Sequence, residues 1–364
     1  MDQRRVMNSG YLIWAKTETH ARFNLATSGV ANLSLRELPI ELDDLEISGP
    51  SFYGYEPLIR LLAARYEVAP ENVITAAGAS MANHLAMAVS IEPGDEVLIE
   101  RPTYEPLIAT ALYLGARVKR FERRAEKGFA IEPEEIERSM SARTRLIVMT
   151  NLHNPTSALT DVQTLKEIGR LARRVGARVL IDEVYLETAF EDAPKPAFHL
   201  GPEFISTNSL TKTYGLSGLR CGWALADADL VRKMWLLHDL YGVIMAHPAE
   251  RLSVVALKNI ESISRRAKDL LARNRALLES FFDSRGDLEP FRVPYGTTIF
   301  PRLRSGRVDD LCRLLRDKYE TAVVPGEFFG VEDRFRIGIG CDTQTLAAGL
   351  ERLGAALDEL ATRN

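Results

Sequence analysis

Cysteine is scarce in this chain. Three residues, Cys221, Cys312 and Cys341, are scattered over 364 positions. They lack the close spacing of a metal site and the even count of a disulfide framework. An odd, sparse set points to a reducing compartment, so a cytoplasmic protein is expected. Histidine is as thin: six residues, with no pair at helical i, i+4 spacing and none in a His-x-His pattern. No metal is expected. No apolar stretch approaches the roughly 20 residues that a membrane-spanning helix requires. Behind Met1-Asp2-Gln3-Arg4-Arg5 no apolar core follows, so no signal peptide is expected. Charge of one sign is missing too: 46 Lys and Arg against 50 Asp and Glu leave a net −4. That balance argues against a general binder of nucleic acid or of anionic membranes. No Gly-x-Gly-x-x-Gly follows the first β-like run, which disfavours a nicotinamide dehydrogenase. Internal repeats and low-complexity tracts are absent as well.

What remains is ordinary globular composition, 46% hydrophobic and 26% charged, in a chain long enough for two packed units. From residue 72 to 226, short apolar runs alternate with amphipathic helical stretches. The runs are 72–75, 96–99, 117–121, 145–150, 178–182, 204–207 and 222–226; the helical stretches are 82–90, 106–114, 134–140 and 162–175. Such alternation predicts an α/β fold, a mainly parallel seven-stranded sheet with helices on both faces. Ligands bind outside the carboxyl ends of the strands in such sheets. This selects Gly78 to Ser80, Tyr104, Asn151 to Ser157, Asp182 to Tyr185, and Ser209 to Lys212. After Pro248 the rhythm changes. One long helix is expected over 249–282, then short strands near 298–303, 322–324 and 334–339, with helices at 308–319 and 343–360. The expected organisation is an N-terminal segment over 1–48, completing the small domain or meeting a partner. A large ligand-binding domain follows over 49–247, then the connecting helix and a small α+β domain over 248–364.

The most informative stretch runs from Asn208 to Trp223 and contains Ser209-Leu210-Thr211-Lys212 and, eight residues on, Arg220. Lysine forms a Schiff base with an aldehyde when its surroundings favour the neutral amine. Hydroxyls, loop amides and an arginine fork suit a phosphate dianion. An imine-forming amine beside a phosphate cradle answers to the two ends of pyridoxal 5'-phosphate. Most lysines in a Ser-x-Thr-Lys string merely stay solvated, so the other strand ends carry weight. Asp182 closes an apolar run; it is either a turn cap or a carboxylate that keeps a pyridine nitrogen protonated. Tyr185 can reach the phenolic oxygen of the same ring. Asn154, restricted by Pro155, is either an Asn-Pro turn or a donor to that oxygen. His153 beside it reads as a supporting or rim residue. Gly78, Ala79 and Ser80 open a helix, where Ser80 can both cap and bind an anion. Tyr104 can stack on a flat heterocycle or be a plain half-buried tyrosine. Arg336 is a charge inside an apolar strand. Its partner is either an acid such as Asp333 or Asp342, or a substrate carboxylate, and the substrate is favoured.

Together these residues make the chain resemble the class I/II aminotransferases of the fold type I pyridoxal-phosphate enzymes. The resemblance rests on Ser-Leu-Thr-Lys-Thr-Tyr-Gly-Leu-Ser-Gly-Leu-Arg (209–220), Asn-Leu-His-Asn-Pro-Thr-Ser (151–157), Asp-Glu-Val-Tyr (182–185), Val-Pro-Gly-Glu-Phe-Phe (324–329) and Phe-Arg-Ile-Gly (335–338). It implies that Lys212 carries the cofactor, that Asp182 pairs with its ring nitrogen, and that Asn154 and Tyr185 contact the ring hydroxyl. It further implies that Ser209, Thr211, Arg220, Gly78, Ala79 and Ser80 surround the phosphate and that Tyr104 stacks on the ring. Arg336, Asn154 and the Gly29 backbone would then face the substrate carboxylate. The implied activity moves an amino group between an L-amino acid and a 2-oxo acid in a homodimer with shared sites. A lyase, cyclase or decarboxylase on the same scaffold is the alternative. Two departures stand out. Ser157 replaces the family's glycine, and the compressed Phe52-Tyr53-Gly54-Tyr55 leaves open whether Tyr53, Tyr55 or neither reaches a neighbour's phosphate.

Overall fold

The computed structural model describes residues 7–363. Met1 to Arg5, on which the absence of a signal peptide was argued, lie outside the described residues. Seven strands form the central sheet: β1 (Val73–Ala77), β2 (Glu96–Arg101), β3 (Arg117–Glu122), β4 (Thr144–Thr150), β5 (Arg178–Asp182), β6 (Phe204–Ser209) and β7 (Cys221–Leu225). Their order is β1-β7-β6-β5-β4-β2-β3, and only β7 runs antiparallel to its neighbours. The expected mainly parallel sheet is therefore present. Strands buried on both faces read as unbroken apolar runs, and Val179, Leu180 and Ile181 of β5 are each 0% exposed. Side chains alternate across the sheet. Val148 and Leu180 join one core with Leu85 and Met87, while Ile147 and Val179 join another with Leu165 and Ile168. Helices thus cover both faces.

Register is what gathers the site. Thr150 at the end of β4 lies opposite Asp182 at the end of β5, and Asp182 opposite Thr207 in β6. Because β7 is reversed, its start pairs with the ends of its neighbours: Gly222 faces Ser209, and Cys221 faces Ala77. The loops after β1, β4, β5 and β6 and the loop before β7 therefore open on one edge.

A separate core holds the C-terminal part, where Leu271, Leu311, Phe335 and Leu346 pack with Leu25 and Val30 from the N-terminal stretch. Phe23–Asn24 pairs in parallel with Thr321–Ala322, and a three-stranded sheet joins 298–299, 335–338 and 324–325. Several details differ from expectation; the strand expected over 322–324, for one, is two, Thr321–Ala322 and Val324–Pro325, in different sheets. The single helix over 249–282 is two, His247–Lys258 and Ile260–Asp283. At the break, the Asn259 amide bonds back to the Val255 carbonyl at 2.8 Å, competing with the helix as asparagine does. The run 298–303 splits into Thr298–Ile299 and Arg302–Leu303, which belong to different sheets. Pro301 between them has no N–H for a ladder. Ser80 does not cap its helix: the helix starts at Ala79, with Gly78 at the cap at φ +82°.

Candidate active site

On the edge where the strand ends meet lies a cavity of about 190 Å³. Its wall includes Ala79, Ser80, Tyr104, Asn154, Asp182, Tyr185, Ser209, Thr211, Lys212 and Arg220. The structure thus brings together residues from five loops that are up to 141 positions apart in sequence (220 − 79 = 141). A second cavity of about 540 Å³ shares Thr211 and Lys212 and adds Tyr11, Ser28 and Gly29. Gly78 stands beside the first, and Arg336 supports it from behind.

Lys212 is half-buried, and its Nζ donates to Ser28 Oγ at 3.0 Å. Burial lowers its pKa. The Arg336 and Arg220 charges act in the same sense, and Tyr11 and Asp182 oppose them. The neutral amine that nucleophilic or base chemistry needs is accordingly favoured. Asp182 is 5% exposed. Burial raises its pKa, while an Asn83 hydrogen bond of 2.8 Å, the Val184 N–H and the Lys212 charge pull it back. The donors on its carboxylate, Asn83 and the Val184 N–H, are neutral, although a buried carboxylate calls for a cation.

Asn154 is oriented from two sides. Its backbone N–H donates to Thr150 Oγ1 at 2.9 Å, and its side-chain oxygen accepts from Arg336 Nη1 at 3.0 Å. Arginine can only donate, so the amide oxygen must face it and the NH2 end is left for a ligand. Behind this loop, Thr150 donates to the buried Glu100, which pairs with the equally buried Arg123 at 2.8 Å. His153 is part of this support rather than of a rim. It is 1% exposed, its ring bonds Thr156 Oγ1 and the Pro102 carbonyl, and burial holds its pKa well below the usual value. The Tyr185 phenol, raised by burial, also bonds Ser28.

Arg336 is 0% exposed, and its partners are all neutral: Asn154 Oδ1, Tyr11 OH and the Ala26 carbonyl. Its Nε has no partner at all. The two acids considered as structural partners are engaged elsewhere. Asp333 pairs with Arg302, and Asp342 caps its own helix through the Thr345 N–H. A buried guanidinium with a free donor and no counter-charge has the chemistry to receive a carboxylate.

At the other end, Arg220 donates to the Ala77 carbonyl at 3.0 Å. A Cβ on Gly78 would come within 2.3 Å of Arg220 Nη2. A Cβ on Gly222 would come within 2.2 Å of the Gly78 backbone. Glycine at both positions lets an arginine, a strand and a helix N-terminus converge. The first N–H groups of that helix are unpaired donors, the ordinary setting for a phosphate. Tyr104 forms a wall, its ring edge-on to Tyr11 at 5.5 Å. A phosphate end, an amine, a stacking ring, a lone carboxylate and a carboxylate receptor in adjoining cavities fit pyridoxal phosphate with an amino-acid substrate.

Three residues in this geometry escape a reading of the sequence: Tyr11, Ser28 and Asn83. Asn83 leaves a trace, being the one polar residue on the buried, otherwise apolar face of its helix. Ser28 adjoins Gly29, and Tyr11 carries no local signal. Gly29 itself lies against the Lys212 backbone, with Val30 N donating to the Lys212 carbonyl at 2.8 Å. Ser157, at the departure from the family pattern, adopts φ +61°. Its hydroxyl donates to the Thr298 carbonyl at 2.8 Å, which holds the strained turn.

Comparison with known proteins shows the family. The family model for aminotransferase class I and II matches residues 47–353. A capreomycidine synthase from Streptomyces vinaceus is 33% identical over 352 residues, covering 93% of this chain and 90% of that protein. An aspartate aminotransferase from Pyrococcus horikoshii is 28% identical over 302 residues, covering 80% and 77%. The crystal structure of a PLP-dependent aminotransferase from Streptococcus suis matches with a TM-score of 0.90 at 27% identity, covering 96% of this chain and 97% of that one.

Proposed function

The chain belongs to the class I and II aminotransferases, and from that membership we propose how its own residues carry the reaction. It is a pyridoxal-phosphate-dependent enzyme that moves an amino group between an amino acid and a 2-oxo acid. When bound, the cofactor supplies an aldehyde that captures amines and a ring that withdraws electrons from the captured carbon. Lys212 would be the covalent attachment point and, as a free amine, the base that moves the proton from the substrate Cα to the carbon of the cofactor's aldehyde. Its lowered pKa supports that role. Asp182 holds the charge of the ring nitrogen. Asn154 and Tyr185 take the ring oxygen, Tyr104 stacks, and Ser209, Thr211, Arg220 and the Gly78–Ser80 amides hold the phosphate. Arg336 and the Gly29 backbone receive the α-carboxylate. The observation that carries this reading is one cavity wall shared by Lys212 and Asp182, with Arg336 unneutralised beside it.

The test is a panel of amino acids and 2-oxo acids, scored for the new amino acid. Stoichiometric transfer is expected. Ammonia, carbon dioxide or a cyclic product instead would favour a second reading, a lyase, decarboxylase or cyclase on the same scaffold. That second reading is supported by the similarity to a capreomycidine synthase, whose name is not that of an aminotransferase.

We also propose a homodimer in a reducing, cytoplasmic setting, with an N-terminal segment, a large cofactor domain over 49–247 and a small domain over 248–364. Exposed apolar side chains support the association: Phe52 at 75%, Tyr53 at 56%, Leu240 at 78% and Tyr241 at 61%. Unpaired cysteines support the compartment. Among the described residues no helix is long and apolar enough to cross a membrane. Light scattering on the purified protein tests the assembly; a monomer at micromolar concentration rejects it.

A further inference from the structure

We propose that Asn83 is a positioning residue for the reaction: it holds the Asp182 carboxylate in place opposite the cofactor's ring nitrogen. The inference rests on the cofactor reading above and adds a residue to it. Asn83 lies on the second turn of the helix Ala79–Ala88, whose first turn is the phosphate end in the reading above. Its neighbours on the buried side are Ala82, Leu85 and Ala86, and Asn83 itself is 4% exposed. An amide in such a place is costly unless bonded, and asparagine is a poor helix-interior residue. Both of its hydrogen bonds go to the ends of β5 and β6. Thr207 Oγ1 donates to Asn83 Oδ1 at 2.6 Å, and Asn83 Nδ2 donates to Asp182 Oδ2 at 2.8 Å.

The chain of donors has one direction. Thr207 is 0% exposed and lies beside Asp182 in the sheet register. Its hydroxyl fixes the oxygen end of the amide, so only the NH2 end can face the carboxylate. A donor at Oδ2, together with the Val184 N–H on Oδ1 at 3.2 Å, favours the charged carboxylate that burial opposes. The same helix therefore sets both the phosphate end of the site and the acid at the ring end, and their separation is fixed by its backbone.

The test uses the full-length protein loaded with cofactor labelled with nitrogen-15 in the ring. The ring-nitrogen chemical shift reads protonation directly, independently of turnover. In wild type a protonated nitrogen is expected. In Asn83→Leu the shift moves toward the unprotonated position. Cofactor affinity and kcat each fall roughly tenfold, about one charge-assisted hydrogen bond, while KM for the amino acid is unchanged. Thr207→Val, which removes only the anchor, moves the shift the same way by less, and keeps the proposal testable if Asn83→Leu does not fold. A wild-type shift and kcat in a folded Asn83→Leu, or an unmoved shift in Thr207→Val when the first variant is lost, overturns the role of Asn83 and leaves the cofactor reading intact. A wild-type protein that fails to hold the cofactor at Lys212, or holds it unprotonated, overturns the cofactor reading and this inference with it.

Discussion

At the scale of single residues, the unusual feature is Arg336, a cation with only neutral partners. Replacing it with lysine keeps the charge and loses the planar fork. kcat/KM for amino acids is expected to fall roughly 100-fold, mainly through KM, with a smaller loss of cofactor affinity because Asn154 loses one of its two anchors. Steady-state kinetics check this; an unchanged KM rejects the clamp. Lys212→Ala is expected to lose turnover and the absorbance band of the lysine-bound cofactor, and retained activity refutes its assignment. Most of these residues were legible because they close apolar runs, where chemistry and topology coincide. Tyr11, Ser28 and Asn83 were not. Their decisive bonds span 325, 184 and 99 positions, a distance over which local pattern carries no information. Tyr11 shows the consequence. Burial raises its phenol, but the charges of Arg336 and Lys212 outweigh burial and leave the pKa lowered. Only the folded chain brings those charges to it.

At the scale of elements, legibility follows burial. The inner strands of the central sheet are buried on both faces, so their runs stand out to within a few residues. The two-residue strands of the C-terminal part exist because their neighbours pair with them, so the sequence shows roughly where they lie but not where each begins and ends. The helix Gly10–Thr17 is the clearest case of an element defined by contacts. Its start is tied to Glu105, which accepts from Ser9 Oγ and from Gly10 N at 3.2 Å, and its Tyr11 reaches Arg336. Trp14 and Phe328 pack together at 5.2 Å beside it. Since Glu105 begins the helix behind Tyr104, the anchor links Tyr104 to Arg336 through Tyr11. Glu105→Ala frees the start of the N-terminal helix. KM for the amino acid is expected to rise several-fold, about the worth of one partly exposed hydrogen bond, with little change in cofactor affinity. Equal KM values for variant and wild type would show that this helix does not shape substrate binding.

At the scale of the whole molecule, burying acids to build a site leaves a mark on stability. Asp182, Glu183, Glu100 and Glu250 all have raised pKa values, each chiefly because burial penalises the charge. Glu183 is the clearest, pushed to about 8 by burial, with the Asp182 and Glu187 charges adding to it and bonds from Ala197 and Ser206 opposing. In the unfolded chain it titrates near its ordinary value of 4.5. Between these two values the folded state keeps a proton that the unfolded state has lost. Stability from this group is therefore complete below pH 4.5 and declines as pH rises toward 8. The span corresponds to a loss on the order of a few kcal/mol. The melting temperature of wild type, with saturating cofactor, is expected to be lower at pH 8.5 than at pH 6. Glu183→Gln cannot ionise, yet retains an oxygen for the Ala197 N–H, which donates to Glu183 at 2.9 Å. Its melting temperature should change less between the two pH values than that of wild type. An identical change in both proteins would place the pH sensitivity in the other buried acids, Glu100 and Glu250 first among them.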